Sequence, residues 1–338
     1  MRKFNKNKYF SSLSKIIDPQ LSAISDKSVL ITGANGLIGG SLLDFLMYLN
    51  QEHDANIRIS VLVRSQLEKH DFFDYETLNV IVQSVTDSID IENEVDYIFH
   101  AASNAHPKAY DLYPVETSLI NVIGTNNILL LAKEKKSKVI FISSSEVYGE
   151  LADGKSEHVE DDYGYIDILS PRACYSESKR MAETLISSYI KEYGVQGVSV
   201  RPAYIYGPRF SESNSRADVQ FIKNCLNNED IVMKSEGLQF RSYCYVLDCV
   251  MAILFIALKG ENGQAYNVSS DTGNVQLVDF ARAMANCANV NLKFELSGSV
   301  GGSPVMNSLL SNKKLKSLGW EEKFNFDDGV RDTLAILD

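Results

Sequence analysis

The sequence predicts an α/β protein: a doubly wound parallel sheet carrying a small C-terminal cap that binds substrate. Three observations lead there. Short apolar runs alternate with helical patterns as far as Val200, the rhythm of strands joined by crossover helices. The first run opens directly into a glycine-rich turn and then a helix. Polar residues able to do chemistry recur just after the runs, at the strand ends where ligands bind on such sheets.

Residues 1–26 are polar and weakly helical around Leu13–Ile24, and read as an N-terminal extension on the surface. Ser28–Ile31 is the first strand; it runs into Thr32–Gly39 and a helix with Leu42, Leu43 and Leu46 inward. Ile57–Val63 is the second strand, ending at Arg64, and Leu78–Val82 the third, followed by Asp87. Tyr97–Phe99 leads into His100, Ala101, Ala102, Ser103 and Asn104. A helix over about 114–135 contains Asn121. Lys138–Ile142 precedes Ser143–Gly149, the Tyr175 helix ends near Gly194, and Gly197–Val200 leads to Tyr204 and Pro208. The pattern then loosens: a polar loop with Arg209 and Arg216, a helix near 219–227, a strand near 231–234, Arg241 within Phe240–Val246, and a helix near 275–288. The expected division is a dinucleotide-binding domain over 27–204 with returning segments about 240–270, and a smaller domain from 205–239 and 271–338.

The 338 residues are 45% hydrophobic, enough for a large core. A net charge of −11 argues against nucleic acid and anionic membranes as partners, and makes any anionic substrate depend on local cations. No signal peptide is visible, and the apolar run near Val250–Leu258 is too short to span a bilayer, so a cytoplasmic protein is expected. Five cysteines without paired spacing read as reduced thiols, and the five histidines show no metal-ligand pattern.

Gly33 permits the tight turn, Gly36 lets backbone approach a pyrophosphate, and Gly39 lets helix and strand pack closely. Asn35, Leu37 and Ile38 complete that turn, and Arg64, Asp87, Ala101, Ala102 and Asn121 are further cofactor candidates. Tyr175 and Lys179, four apart, share a helix face. Alone they are a surface pair; after a dinucleotide turn and a Ser-rich strand end they read as a proton-transfer set. A neighbouring ammonium is expected to lower the phenol's pKa. Glu146 reads either as a solvated carboxylate or as a second acid/base group. Arg172, Arg209, Arg216 and Arg241 are candidates to clamp a diphosphate or carboxylate, with Asn104 and Tyr204 beside the substrate.

Taken together, Thr32-Gly-x-x-Gly-x-x-Gly39, Asn121-Val-x-Gly-Thr125, Ser143–Gly149, Tyr175-x-x-x-Lys179, Tyr206-Gly-Pro208 and Leu318-Gly-Trp320 resemble the extended short-chain dehydrogenase/reductase family of nucleotide-sugar enzymes over about residues 28–330. Within it, Ser145–Gly149, Pro171–Thr184 and Arg241–Val246 look like the UDP-glucuronate decarboxylases. The resemblance implies a Rossmann fold, bound NAD, Asp87 near adenine, and Ser144 acting with Tyr175 and Lys179. It also implies Glu146 near the sugar C5–C6 region, a homodimer, and polysaccharide-precursor synthesis. The implied reaction is oxidation of UDP-glucuronate at C4, loss of CO2 and return of hydride, giving UDP-xylose. A C4-epimerase, 4,6-dehydratase or 4-keto reductase is the alternative, and a non-catalytic dinucleotide sensor the minor one. Three departures stand out: Arg64 where relatives place an Asp, which admits NADP; Tyr204 in place of an Asn; and no Arg in Ser303–Asn307 to meet a carboxylate.

Overall fold

Five consecutive buried residues, Ser28–Thr32, form the first strand, β1, and the larger sheet grows outward from it. The computed structural model describes residues 3–211, 214–296 and 307–337. Helix α1 (Lys6–Lys15) and a 3-10 turn (Pro19–Ile24) precede β1. After it come α2 (Leu37–His53), β2 (Arg58–Val63), β3 (Asn79–Val82), β4 (Tyr97–His100), α3 (Pro107–Leu112) and α4 (Pro114–Lys135). Next are β5 (Lys138–Ile142), a 3-10 turn (Ser145–Tyr148), α5 (Ala173–Tyr193), β6 (Gln196–Pro202), β7 (Tyr204–Tyr206) and α6 (Ala217–Leu226). The remainder is β8 (Ile231–Met233), β9 (Phe240–Tyr245), α7 (Val246–Lys259), β10 (Ala265–Val268), β11 (Asn274–Gln276), α8 (Leu277–Ala288), β12 (Leu292–Phe294), β13 (Asn307–Ser308), α9 (Lys313–Lys316) and α10 (Phe326–Leu337).

The seven-stranded sheet runs β3-β2-β1-β4-β5-β6-β10, and every pairing in it is parallel. Parallel neighbours need long crossovers, which α2, α4, α5 and α7 provide. Helix α7 is apolar on all sides and buried from Val246 to Ala257, so it belongs to the core rather than to the surface. Helix α4 meets the length and composition of a bilayer-crossing helix, and half of it is buried in the fold. A smaller sheet, β11-β9-β13 with β7 beside β9, and the pair β12-β8 make the cap. All five cysteines are free thiols.

Two expectations about the chain's organisation are corrected. The segment expected to be a surface extension is not one over its described residues, 3–26: Tyr9, Leu13 and Ile16 are buried in the main core, because the hydrophobic side of α1 packs on α2 and α10. The returning segment joins the large sheet only at β10. Phe240–Tyr245 is the central strand of the cap sheet, where alternate residues Tyr243 and Tyr245 meet Phe280 and Phe324.

Candidate active site

Thr32 ends β1 and ties two loops together. Its Oγ1 accepts from the Ala102 N–H at 3.1 Å and lies 2.8 Å from His100 Nδ1, while His100 Nε2 reaches Thr125 Oγ1 at 3.2 Å. Burial, with Lys179 adding to it, pushes His100 down to about 3, so this imidazole is a neutral strut. Gly33 has φ +73°, and a Cβ there would sit 2.8 Å from the Ala101 carbonyl carbon and the Ala102 nitrogen. A Cβ on Gly39 would lie 2.5 Å from the Gly33 oxygen. The glycines therefore let the turn, α2 and the loop after β4 approach more closely than any side chain would allow, which keeps the turn's backbone N–H groups accessible to a ligand. Gly36 caps α2, leaving the N–H groups of Leu37 and Ile38 at a 17-residue helix N-terminus, which suits a pyrophosphate.

Asn35 holds the turn to the loop after β2: its Oδ1 accepts from the Glu68 N–H at 2.9 Å and its Nδ2 donates to the Gln66 carbonyl at 3.0 Å. Asp87 is exposed beyond the end of β3. Arg64 pairs with Glu116 at 2.7 Å, and Asn104 Nδ2 donates to the same carboxylate oxygen at 3.2 Å. Asn104, expected beside the substrate, thus lies with Arg64. Asn121, expected at the cofactor, is fully buried with both ends of its amide occupied, donating to Ser178 Oγ and accepting from Ser103 Oγ, each at 2.8 Å. It pins α4 to α5, and Ser178 in turn donates to the Tyr175 carbonyl at 3.0 Å.

The strand-five and helix-five residues do converge. Ser144 caps the 3-10 turn, its Oγ accepting from the Glu146 N–H at 3.1 Å, with its hydroxyl in hydrogen-bond reach of the Tyr175 phenol. Lys179 is 1% exposed and donates to the Ile142 carbonyl at 2.7 Å. Burial pushes it down to about 7, against the pull of Glu183 one turn on. Tyr175 is pushed up to about 12, by burial first and the Glu146 charge second, with Ser144, Arg216 and Arg172 opposing. The expectation that Lys179 lowers this phenol is corrected. Its ammonium is turned to the end of β5, 5.8 Å from the Tyr175 ring centre, and burial outweighs the cations.

Over the phenol lies a residue with no motif to announce it. Tyr110, from α3, stacks on Tyr175 with centroids 4.6 Å apart and planes 22° apart. The Arg172 guanidinium covers Tyr110 at 4.5 Å, and its Nη2 donates to both Glu146 oxygens, at 2.9 and 2.7 Å. Behind the strand end, Ser143 donates to Glu183 at 2.5 Å, and Arg201 grips the same carboxylate at 3.0 and 2.7 Å. Glu183 follows Lys179 at helical spacing, so its nearness is readable in the sequence, and Arg201 follows a strand run at the ligand rim, whereas nothing local announces Tyr110.

On the cap side, Tyr204 lies between Arg241 at 5.3 Å and Arg216 at 5.9 Å. Arg216 is also tied to Asp218 at 3.0 Å and to the Ile205 carbonyl at 3.1 Å. Arg209 is corrected. It is buried against α2, its Nη2 donating to both oxygens of Asp44 at 3.0 and 2.8 Å and lying 2.9 Å from His70 Nε2. Burial pushes the Asp44 carboxyl up, but Arg209 and His70 outweigh it and hold it below its usual range. Tyr9 from α1 adds a third donor at 2.9 Å. Ser303–Met306, where a carboxylate-binding Arg was sought, lie outside the described residues.

The family model of the NAD dependent epimerase/dehydratase family matches residues 29–269. The chain belongs to this family. Among its relatives, UDP-glucuronic acid decarboxylase 6 of Arabidopsis thaliana is 30% identical over 307 residues, 90% of this chain and 87% of the relative. UDP-glucuronic acid decarboxylase 1 of Xenopus tropicalis is 31% identical over 319 residues, 93% of this chain and 73% of the relative. The fold is shared with the UDP-glucose 4-epimerase of Thermus thermophilus solved with NAD, at TM-score 0.77 and 24% identity over 92% of this chain and 98% of that one. It is shared too with the UDP-N-acetylglucosamine 4-epimerase of Methanobrevibacter ruminantium, at TM-score 0.78 and 23% identity, with coverages of 92% and 97%. NAD is the family's cofactor, and the residues here fit it. Arg64, which admitted NADP, is paired with Glu116, and the cofactor of the family the chain belongs to is NAD.

Proposed function

We propose that the chain converts UDP-glucuronate to UDP-xylose and CO2. One observation carries the reading: a redox set, Ser144, Tyr175 and Lys179, shares its strand end with a second acid/base group, Glu146, which oxidation at a single carbinol does not need. Likeness to decarboxylases over 90% of the chain supports it.

Bound there, NAD would supply the hydride acceptor and donor for the sugar C4. The cradle of Gly33, Gly36 and Gly39, with the N–H groups of Leu37 and Ile38, would hold its pyrophosphate. Tyr175 removes the proton of the C4 hydroxyl, and Ser144 holds the same oxygen in line. Because the resting phenol is held up at about 12, it is protonated until further positive charge enters the site. A carbonyl at C4 makes the C5 substituent a β-keto acid, whose carboxylate leaves as CO2 with its electron pair drawn into the ketone. Glu146 serves that end, where a proton replaces the carboxylate at C5. Tyr175 then gives its proton back to the C4 oxygen. Arg216 and Arg241, flanking Tyr204, take the diphosphate.

We further propose a homodimer through α4 and α5. Val115, Leu119 and Ile123 form an exposed apolar stripe at helical spacing, 70%, 45% and 40% accessible, beside Met181 of α5.

Incubating the purified protein with UDP-glucuronate and NAD, and following products by NMR, tests the reading. UDP-xylose and CO2 are expected. Turnover of a neutral nucleotide sugar with none of UDP-glucuronate would transfer the assignment to an epimerase or dehydratase. NAD binding without turnover across such a panel would leave a sensor.

A further inference from the structure

The partners of the four site arginines sort them by availability. Arg209 is locked on Asp44, their side chains 2% and 0% exposed. Arg216 is held by Asp218 and a backbone carbonyl, and Arg241 is buried beside Tyr204. Arg172 is different. Its side chain is 51% exposed, and that of its partner Glu146 is 31% exposed. Only Nη2 is engaged with the carboxylate; among the described residues Nε and Nη1 make no hydrogen bond. What fixes the guanidinium is the Tyr110 ring beneath it, itself stacked on the acid/base phenol.

We propose that Arg172 receives the carboxylate of an acidic sugar, with Glu146 as its resident counter-ion, exchanged for the substrate carboxylate on binding. The inference rests on the reading of the site as acting on a UDP-linked sugar acid. An ion pair this open to water contributes little, so exchange is cheap, whereas a buried pair such as Arg209–Asp44 would resist it. Once Glu146 leaves, Nη2 together with Nε or Nη1 offers an incoming carboxylate the fork geometry that Glu146, meeting one nitrogen, does not use. Exchange also frees Glu146 at the moment an acid arrives. A neutral nucleotide sugar leaves it latched to Arg172, so recognition of the carboxylate and release of the group that serves C5 are one event.

The test uses the full chain with NAD in a Tyr175→Phe background, in which turnover is suppressed, and measures equilibrium dissociation constants for UDP-glucuronate and UDP-glucose. Arg172→Gln is expected to weaken UDP-glucuronate by about 10–100-fold, the loss of a charged hydrogen-bond pair, and UDP-glucose by no more than about 2-fold. Glu146→Gln, which removes the competing charge, is expected to tighten UDP-glucuronate by about 2–5-fold. Equal loss for both probes, or loss for neither, overturns the proposal. If Arg172→Gln does not fold, Glu146→Gln decides: unchanged or weaker UDP-glucuronate binding overturns it. Wild-type turnover of UDP-glucuronate run alongside separates the failures. Turnover with an indifferent Arg172 rejects the arginine's role alone; no binding and no turnover rejects the functional reading and the exchange together.

Discussion

Asp44→Asn changes one charge and almost no volume, at a point where three distant segments meet. Asp44 is wholly buried in α2 and accepts from Tyr9 at 2.9 Å and from Arg209 at 3.0 and 2.8 Å, with His70 Nε2 at 3.3 Å. Neutralising it strands the Arg209 guanidinium, whose Nε and Nη1 already lack partners among the described residues. Breaking a buried pair from one side costs about 3–5 kcal/mol. At about 2.1 cal/mol/K per residue, 338 residues unfold with roughly 0.7 kcal/mol/K at Tm, so the expected fall is about 4–7 °C. Thermal unfolding followed by circular dichroism measures it. Glu116→Gln is the control: its pair with Arg64 is half in water and is expected to shift Tm by under about 1 °C. An Asp44→Asn variant that melts with the control would refute the claim that this pair is a structural joint.

Tyr175→Phe is expected to lower kcat by about 10²–10⁴ with NAD affinity retained, and a milder loss in steady-state assays would remove the phenol from the proton-transfer role. Lys179→Met addresses pH. The lysine titrates near 7 in the fold against 10.5 unfolded, so between those values the unfolded chain binds more protons and wild-type stability rises with pH. The methionine variant gains nothing there, so its Tm relative to wild type is expected to be highest at or below pH 7 and to decline towards pH 10. A difference independent of pH would sink the assignment. Gly33→Ala places a methyl group against the Ala101–Ala102 backbone at a positive φ; NAD affinity, by fluorescence titration, is expected to fall at least about 10-fold.

The sheet was legible because β-branched runs and a glycine turn are local signals: Ser28–Thr32, Gly33 and the Tyr175–Lys179 spacing each declare themselves within a few residues. What escaped depends on partners far away in sequence. Nothing near Arg209 distinguishes a substrate clamp from a buried arginine, since its carboxylate is 165 positions earlier. Tyr110 lies on a short helix without periodicity, so only the fold shows that its ring covers Tyr175. Asn121 pointed to the correct neighbourhood but not to its partners, because nothing near it in sequence shows that its amide is held between Ser103 and Ser178. Lys179 shows the same limit in electrostatics: spacing placed it near the phenol, but burial decides what its charge does.

The Asn5 N–H donates to the Ile336 carbonyl at 2.8 Å, and Ser12 of α1 donates to Asp332 of α10 at 2.5 Å. Helix α1 is thus completed by α10, more than 300 residues downstream. On the ribosome this helix waits for more than 300 further residues before its last contacts exist. Tyr9, and the Asp44 carboxylate it serves, are therefore assembled in their final form only once α10 has been made. Closing this fold is a late, long-range event, and a polypeptide released short of α10 would leave the back of its cofactor helix without that support.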